Sequence, residues 1–492
     1  MRWRPAATRG SRSRRAGAGR SVEMQHLNDR FLFSPSDLGG FLACEHLTQL
    51  DLAVALREAR RPSYENAYAE LLRAKGQEHE QTFLDALRKG GHSVVEVKLD
   101  TARDFEAGAR RTLEAMRSGS DYVYQAVFFI EGWRGISDFL ERVERPSALG
   151  PWSYQVLDTK LARHPRPEHA LQLSFYSQAL EAAQGLTPEL AYVVLGTRER
   201  VPIRLADVNA YYRRVRGRFE AAVAARAATG PYPCHYCAFC DYRAPCDERL
   251  EREDHVVRVA GIRRDQVKRL FAGGIGTLTA LAQIPPAARV PRIAATTLDG
   301  LRDQAGLQLV RQRTGALEWH ALPIEHGRGF GALPPRSRGD MILDLEGHPF
   351  FEPARGLEYL FGMLLLDEEP PRFEAFWAHD REGERNAFER FVDLVHQRLA
   401  RFPDLHVYHF SGSEPSTLKR LMAEHGTRDA EVDALLRGRV FVDLHAILRR
   451  ALRAGVSSYS LKDVEALYGF ARAAKVQSGT QAILSYERWL HD

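Results

Sequence analysis

The sequence lacks the features that would place this protein in a membrane or in a disulfide-rich class. No apolar run approaches the roughly 20 residues that a membrane-spanning helix requires, and only five of the 492 residues are cysteine. Hydrophobic residues make up 44% and charged residues 27% of the chain, which is typical of a soluble globular protein. At this length, two or three domains are expected.

Positive charge is also scarce outside the first twenty residues. Seven of the 69 basic residues are arginines within residues 1–20, which contain no acid, so the other 62 face 64 acidic residues, a net charge of −2. A nucleic-acid partner would have to be bound by local patches. We interpret residues 1–23 as a disordered basic leader outside the fold. A transit-like peptide, a DNA-touching arm and a misassigned start site are the alternatives.

Residues 24–250 have the pattern of a mixed α/β domain. Helical spacing from Phe31 to about Arg88 is followed by segments rich in Val, Ile, Tyr and Phe, which predict successive strands: HSVVEVKL, DYVYQAVFFIEG, WRGISDFLERVE and YQVLDTKL. PEHALQLSFYSQALEAA returns to helical spacing, and PELAYVVLGT is one further predicted strand. This order predicts a central sheet flanked by helices.

Residues 251–335 form a linker, and residues 336–492 a second α/β unit. In the linker, two short helices around the turn AGGIG are similar to a helix-hairpin-helix, which can offer backbone N–H groups to a phosphate; a plain helical linker is the alternative. In the second unit, GDMILDLEGHPF predicts a strand, EYLFGMLLLD its antiparallel partner, and DLHVYHF a further strand between helices.

Two acids mark the ends of neighbouring predicted strands. Asp138 lies near the end of WRGISDFL, and Asp158 lies near the end of YQVLDTK, two positions before Lys160. Since strand residues alternate faces, Asp158 and Lys160 point the same way. Magnesium-dependent phosphodiester cleavage needs hard oxygen ligands and a cation near the phosphate. A single D-x-K is more often a surface ion pair, so further residues are needed to decide between an ion pair and a metal-dependent nuclease centre.

Those further residues lie on predicted helices. His79 offers one more ligand, while Gln172 and Tyr176 are four positions apart and share a helix face. The ordered set G-x-x-H, D, D-x-K and Q-x-x-x-Y resembles the RecB-type branch of the PD-(D/E)xK nucleases and comprises Gly76, His79, Asp138, Asp158, Lys160, Gln172 and Tyr176. The resemblance implies a restriction-endonuclease-like core, Mg²⁺ or Mn²⁺, and cleavage of DNA. It also implies that His79, Asp138 and Asp158 are metal ligands and that Lys160 is the catalytic base or an electrostatic helper.

The cysteines fall in two places, Cys44 alone and the segment CHYCAFCDYRAPC at residues 234–246. A cytosolic chain rarely keeps disulfides, so this cluster favours a metal site, and zinc is the general meaning of two C-x-x-C steps. The arrangement also resembles the iron–sulfur segment of AddB-type and CRISPR-associated RecB-like exonucleases. That resemblance implies a [4Fe–4S] cluster held by Cys44, Cys237, Cys240 and Cys246, with Cys234 surplus. Zinc stays open as the alternative, and the cytoplasm is the expected location.

A second pair of acids occurs in MILDLEG, where Asp344 and Glu346 share one face of a predicted strand. The pair resembles the D-x-E of DnaQ-type RNase H-like 3′–5′ exonucleases, which use two metal ions. HFSGSE, from His409 to Glu414, has the spacing of that family's second motif, with Glu for Asp. No convincing acid for the third motif follows, so we expect a truncated, degenerate or non-catalytic domain. A strand with two incidental acids is the alternative.

From about residue 24 the whole chain resembles RecB-like nucleases with an iron–sulfur motif followed by an RNase H-like domain. Fuller members continue into a helicase. No Walker A sequence G-x-x-x-x-G-K-[ST] occurs here, so we expect any helicase to act in trans. We expect a metal-dependent DNA nuclease acting on single strands or DNA ends in repair or defence. Two alternatives stay open: an RNase H-like exonuclease acting on RNA or DNA, and a non-catalytic nucleic-acid scaffold.

Overall fold

The computed structural model describes residues 24–63, 66–101, 104–470 and 472–492. The predicted leader, residues 1–23, lies outside the described residues. The chain divides into two compact units: the first combines the residues up to Arg61 with Leu72–Thr229, and the second combines Pro62–Leu71 with Gly230–Asp492. Within the described ranges, no helix is both long enough and apolar enough to cross a bilayer.

The N-terminal half of the chain contains the elements of a sheet with helices on its faces. They are, in order, β1 (Gln25–Leu27), β2 (Arg30–Leu32), α1 (Pro35–Ala43), α2 (Glu45–Ala55), α3 (Ala67–Lys89), β3 (Val94–Glu96), α4 (Phe105–Arg117), β4 (Tyr122–Ile130), β5 (Trp133–Val143), β6 (Ser153–Lys160), α5 (Pro167–Gln184), β7 (Leu190–Leu195), β8 (Arg200–Arg204) and α6 (Leu205–Ala225). The sheet has the order β3-β4-β5-β6-β7-β8. This arrangement confirms the predicted mixed α/β class and its strands.

Local sequence explains how the central strands of this sheet are joined. β4 and β5 form a hairpin whose loop residues, Glu131 and Gly132, both have positive φ, as a two-residue primed turn requires. β6 and β7 are parallel, and α5 is the helical crossover that a parallel pair needs. On the α5 side, Trp133, Phe175 and Phe219 are fully buried in the main core.

The second unit contains a group of helices followed by a second sheet with its own helices. Its elements are, in order, α7 (Arg243–Arg252), α8 (Arg264–Ala272), α9 (Leu278–Ala282), α10 (Ala295–Thr314), β9 (Trp319–Ala321), β10 (Met341–His348), β11 (Leu357–Leu365), β12 (Arg372–Trp377), α11 (Arg381–Arg401), β13 (Val407–His409), α12 (Ser413–His425), α13 (Asp429–Arg437), β14 (Phe441–Asp443), α14 (Leu444–Ala451), β15 (Leu452–Ala454), α15 (Leu461–Val464) and α16 (Gly479–His491). The two helices predicted around AGGIG are present as α8 and α9. A phosphate-binding role for their turn stays a prediction.

The sheet of the second unit has the order β12-β11-β10-β13-β14. β10 and β11 are antiparallel, as predicted, and β10 is parallel to β13. The alternation of β10 separates its faces, because Met341 and Leu343 are buried in the core with Phe388 and Phe391 of α11, whereas Asp344 projects from the opposite face. The open face of β10 therefore carries its acids.

Candidate functional site

Asp138 and Asp158 lie on adjacent antiparallel strands, each one residue beyond the pair Phe139 and Leu157 at which the ladder between β5 and β6 ends. By strand alternation, Lys160 shares a side of the sheet with Asp158. The charges of both aspartates act on Lys160, so the three groups are close together. The structure thus brings together the three residues on which the first predicted site depends.

Each of the two carboxylates already has a partner. Thr159 donates to Asp138 Oδ2 from its backbone N at 2.7 Å and from its hydroxyl at 2.8 Å. Lys160 Nζ forms an ion pair with Asp158 Oδ2, and this buried oxygen accepts no hydrogen bond of normal geometry. Asp158 is only 2% exposed, whereas the Lys160 side chain is 25% exposed, so only the carboxylate end of the ion pair is shielded from water.

The electrostatic balance of the site favours an additional cation. Burial, together with the negative charge of Asp158, raises the pKa of Asp138 to about 7. Burial alone would lower the pKa of Lys160, but the charges of Asp158 and Asp138 outweigh it, so the pKa of Lys160 is raised. Two carboxylates therefore share one ammonium ion, and ionising both leaves an excess of negative charge.

Helix α3 contributes His79 and, unexpectedly, Glu80. His79 is 4% exposed, and its Nε2 lies 3.4 Å from the carbonyl oxygen of Val194 on β7. Burial lowers the pKa of His79, so its imidazole is neutral at pH 7. Burial and the charge of Asp138 raise the pKa of Glu80 to about 7, although hydrogen bonds from β4 and the charge of Lys160 oppose the shift. Glu80 is thus a third carboxyl group of the site.

Strand β4 is distorted where it passes this site. Gln125 has a φ of +56°, and the ladder between β4 and β5 is interrupted at the position where Gln125 would face Asp138. Its Nε2 donates to Glu80 Oε1. A non-glycine residue with positive φ inside a strand is strained, and such strain is concentrated at functional sites. The sequence carries no signal for this distortion.

Helix α5 covers the site with three polar side chains. Tyr176 Oη donates to a backbone carbonyl of β5 at 2.7 Å, and its ring packs so closely that a Cβ on Gly135 would lie 2.7 Å from Tyr176 Cε1. Gln172 is one turn earlier and partly buried. His169, which was not predicted, has its pKa lowered to about 4 by burial and by the charge of Lys160. The only sequence signal for His169 was its position three residues before Gln172, which places both on one face of the helix.

The donor atoms fit a hard divalent cation, but one oxygen of each aspartate already has a partner, Thr159 for Asp138 and Lys160 for Asp158. Across the part of the chain that the structure describes, no three His, Cys, Asp or Glu side chains are already arranged to hold a metal ion. A cation bound through Asp158 Oδ2 would compete with Lys160 for that oxygen. Carboxylate oxygens are the ligands that Mg²⁺ prefers, so the residues fit the predicted metal. The ligand roles of His79, Asp138 and Asp158 stay predictions.

All five cysteines are described, and none forms a disulfide. Cys44 lies in the first unit, between α1 and α2. In the second unit, the Sγ atoms of Cys234 and Cys237 are 3.8 Å apart. Two thiolates on one tetrahedral ion, each about 2.3 Å from the metal, would be about 3.8 Å apart. Cys234, which was predicted to be surplus, is therefore also placed as a candidate ligand, and the predicted cluster remains untested.

The second predicted site lies on β10 and α12. Burial and the charge of Glu414 raise the pKa of Asp344, and burial and the charge of Asp344 raise the pKa of Glu346. Glu414 Oε2 lies 3.2 Å from His409 Nδ1. Burial alone would raise the pKa of Glu414, but this histidine outweighs it and the pKa is lowered. The three predicted carboxylates are therefore electrostatic neighbours.

Helix α16 carries one acid in the region where a third motif was sought. Glu487 Oε2 lies 2.7 Å from His348 Nε2, and its Oε1 lies 3.1 Å from His491 Nε2. Because both carboxylate oxygens are engaged by histidines, the third acid of the predicted motif stays unassigned.

Two segments of the chain match families of nucleases. Residues 33–247 match the family model of the PD-(D/E)XK nuclease superfamily, and residues 341–492 match that of the RNase H superfamily. The chain therefore carries one domain of each superfamily, which confirms the predicted fusion. A search among curated proteins found no match. Enzymes of both superfamilies generally use divalent metals such as Mg²⁺.

Proposed function

We propose that the protein is a RecB-like, metal-dependent DNA nuclease that acts on single strands or DNA ends in repair or defence, with its chemistry in the first unit. The observation that carries this proposal is the group of Asp138, Asp158 and Lys160 on the adjacent strands β5 and β6, with Lys160 paired to Asp158, within the segment that matches the PD-(D/E)XK superfamily. A cytoplasmic location and a helicase partner in trans rest only on the resemblance of the sequence to RecB-like nucleases.

Asp138 and Asp158 would hold a magnesium or manganese ion, and Glu80 and His79 are the adjacent candidates. Such an ion, when bound, polarises the phosphate and lowers the pKa of its water ligand. Lys160 provides positive charge for the phosphate that approaches the carboxylates, which is the electrostatic role rather than that of a base. Thr159 orients Asp138 through two hydrogen bonds to one oxygen.

The cysteine segment is proposed to bind a [4Fe–4S] cluster that stabilises the fold, with Cys237, Cys240 and Cys246 among its ligands. Four thiolates are the usual ligands of such a cluster. A single tetrahedral zinc ion is the second candidate, favoured by the 3.8 Å between the sulfurs of Cys234 and Cys237. Iron and zinc analysis of anaerobically purified protein distinguishes the two.

A second candidate function is an exonuclease activity of the RNase H-like domain on RNA or DNA. The observation that favours it is that Asp344 and Glu346 alternate along β10, while Glu414, in the first turn of α12, is close enough for its charge to act on Asp344. We expect its contribution to cleavage to be small, because a two-metal site without its remaining acid holds the second ion poorly.

The test is digestion of end-labelled single-stranded DNA, duplex DNA and RNA by anaerobically purified protein with Mn²⁺, and with EDTA as the control. We expect Mn²⁺-dependent loss of the DNA substrates. Cleavage of RNA alone would favour the second candidate function. If the protein neither cleaves nor binds any of these nucleic acids, both nuclease hypotheses and the scaffold hypothesis are wrong.

A further inference from the structure

We propose that a group of stacked aromatic rings in the second unit is a binding platform for single-stranded nucleic acid, on which unpaired bases stack beside the acids of β10. We call this group the aromatic stack, and it comprises Tyr359, Trp377, His379, Tyr486 and Trp489. The inference deepens the proposed nuclease function, on which it rests, by assigning a substrate-binding site in the second unit.

Four of the ring pairs have nearly parallel planes. Tyr359 and Tyr486 have centroids 4.0 Å apart at 13°, and Tyr486 and Trp489 follow at 5.6 Å and 23°. Tyr359 also stacks with Trp377 at 6.4 Å and 14°, and His379 stacks with Tyr486 at 6.0 Å and 21°. His379 and Trp489 are closer, at 4.5 Å, but their planes are tilted by 43°. A nearly parallel series of rings can be extended by a further flat π system, which is the shape of a nucleobase.

Two rings of the aromatic stack are buried and two are exposed to solvent. Tyr359 and Tyr486 are buried, whereas Trp377 is 56% and Trp489 is 54% exposed. Hydrogen bonds position Tyr486, since its Oη donates to the Ala378 carbonyl at 3.3 Å and lies 3.1 Å from His379 Nδ1. Single exposed aromatic side chains are ordinary, but two exposed tryptophans that pack on buried aromatic rings are typical of a binding surface.

Position in the fold indicates nucleic acid as the occupant. On β11, Tyr359 directly precedes Leu360, which pairs with Glu346 on β10, and the charge of Glu346 is, after burial, a cause of the raised pKa of Tyr359. The stack is thus adjacent to the acids of an RNase H superfamily domain. Arg488, exposed next to Trp489 and without a carboxylate partner among the described residues, is available for a phosphate.

Base stacking also predicts which form of nucleic acid binds. Bases paired in a duplex are covered on both faces, so only unpaired bases can lie on Trp377 and Trp489. Stacking is tolerant of sequence, because every base has a π face. We therefore expect the protein to prefer single strands over duplexes and to discriminate little among bases. An abasic strand should bind more weakly, because it has no bases to stack on the tryptophans.

The experiment measures binding without cleavage, in EDTA and in an Asp158→Asn background. The full-length protein is titrated with a labelled thymidine oligonucleotide, the matching duplex, a uridine oligonucleotide and an abasic oligonucleotide of equal length. Trp377→Leu and Trp489→Leu remove the ring but keep an apolar side chain, and Trp→Phe at each position restores a ring. The matched control is Phe373→Leu, 67% exposed on the same strand as Trp377 but outside the stack.

Each Trp→Leu change should weaken binding of the single strands by about 5- to 100-fold, while Trp→Phe recovers most of the loss and Phe373→Leu has less than about a twofold effect. Tryptophan fluorescence should fall on addition of the oligonucleotides, and less so in the Leu variants. The platform is wrong if both Leu variants keep the affinity for single strands, or if they lose as much affinity for the abasic strand as for the strands with bases. Either result leaves the proposed nuclease function standing.

Two further outcomes separate this inference from others. If wild-type protein binds none of the four oligonucleotides, both the platform and the proposed nuclease function are wrong. If the Leu variants instead change the oligomeric state in analytical ultracentrifugation while leaving affinity unchanged, the exposed tryptophans form an interface between copies of the chain, and the platform is rejected. A variant that fails to fold is replaced by its Phe counterpart, for which near-normal binding is required.

Discussion

Replacing Lys160 with methionine should destabilise the first unit in the absence of metal and make its stability depend on Mg²⁺. Lys160 Nζ pairs with Asp158 Oδ2, and the two side chains are 25% and 3% exposed. Breaking a buried ion pair costs about 3–5 kcal/mol. Because water reaches the lysine, we expect a smaller loss of unfolding free energy, about 2–3 kcal/mol in EDTA.

Thermal unfolding in EDTA and in millimolar Mg²⁺ measures this effect. A loss of 2–3 kcal/mol corresponds to a fall in Tm of roughly 4–12 °C for a unit of about 200 residues. Mg²⁺ should restore more stability to Lys160→Met than to wild type, because the ion no longer competes with the ammonium for Asp158. Lys89→Met, at the exposed end of α3, is the control. Equal Tm values for Lys160→Met and wild type in EDTA would refute the electrostatic account.

Four other substitutions test further residues of the two units. Glu80→Gln should lower kcat/KM on single-stranded DNA by about tenfold or more while leaving Tm nearly unchanged, since the amide keeps the shape but not the charge; full activity would remove Glu80 from the site. Gly135→Ala should displace the Tyr176 ring and cost about 1–3 kcal/mol of unfolding free energy, and a neutral result in denaturant titration would contradict the close packing. Cys240→Ser should abolish iron content and the broad absorbance near roughly 400 nm. Cys234→Ser distinguishes the two candidate metals, because it should spare both signals of a cluster held by the other cysteines but should remove zinc from a site that uses the 3.8 Å pair Cys234 and Cys237. Zinc without iron in wild type would reject the cluster.

The strands that carry the first site could be predicted because they are long and rich in β-forming residues. β4, β5 and β6 each extend over eight or more residues, enough for alternation to show which residues share a face. The proximity of Asp138 and Asp158 followed from their positions near the ends of neighbouring strands. The three-residue strands β1 and β2 are too short to show periodicity and were not predicted, whereas β3 and β13, equally short, were found through segments rich in β-forming residues.

The helical contributions were harder to predict, because sequence alone does not define the rotation of a helix about its axis. His79 was singled out on α3, but its side chain points to the Val194 carbonyl, and the next residue, Glu80, responds to the charge of Asp138. His169 was missed for the same reason, since its proximity to Lys160 depends on how α5 packs on the sheet. The positive φ of Gln125 depends on tertiary contacts and leaves no local pattern.

The most direct test of the central claim is a comparison of three proteins on end-labelled single-stranded DNA with Mn²⁺: wild type, Asp158→Asn and Asp344→Asn. If catalysis resides in the first unit, Asp158→Asn should lower the cleavage rate by about 100- to 1,000-fold, the effect of losing roughly 3–4 kcal/mol of transition-state stabilisation. Asp344→Asn should then cleave at nearly the wild-type rate. A nearly unchanged rate in Asp158→Asn with a large loss in Asp344→Asn would contradict the account and place the chemistry in the RNase H-like domain.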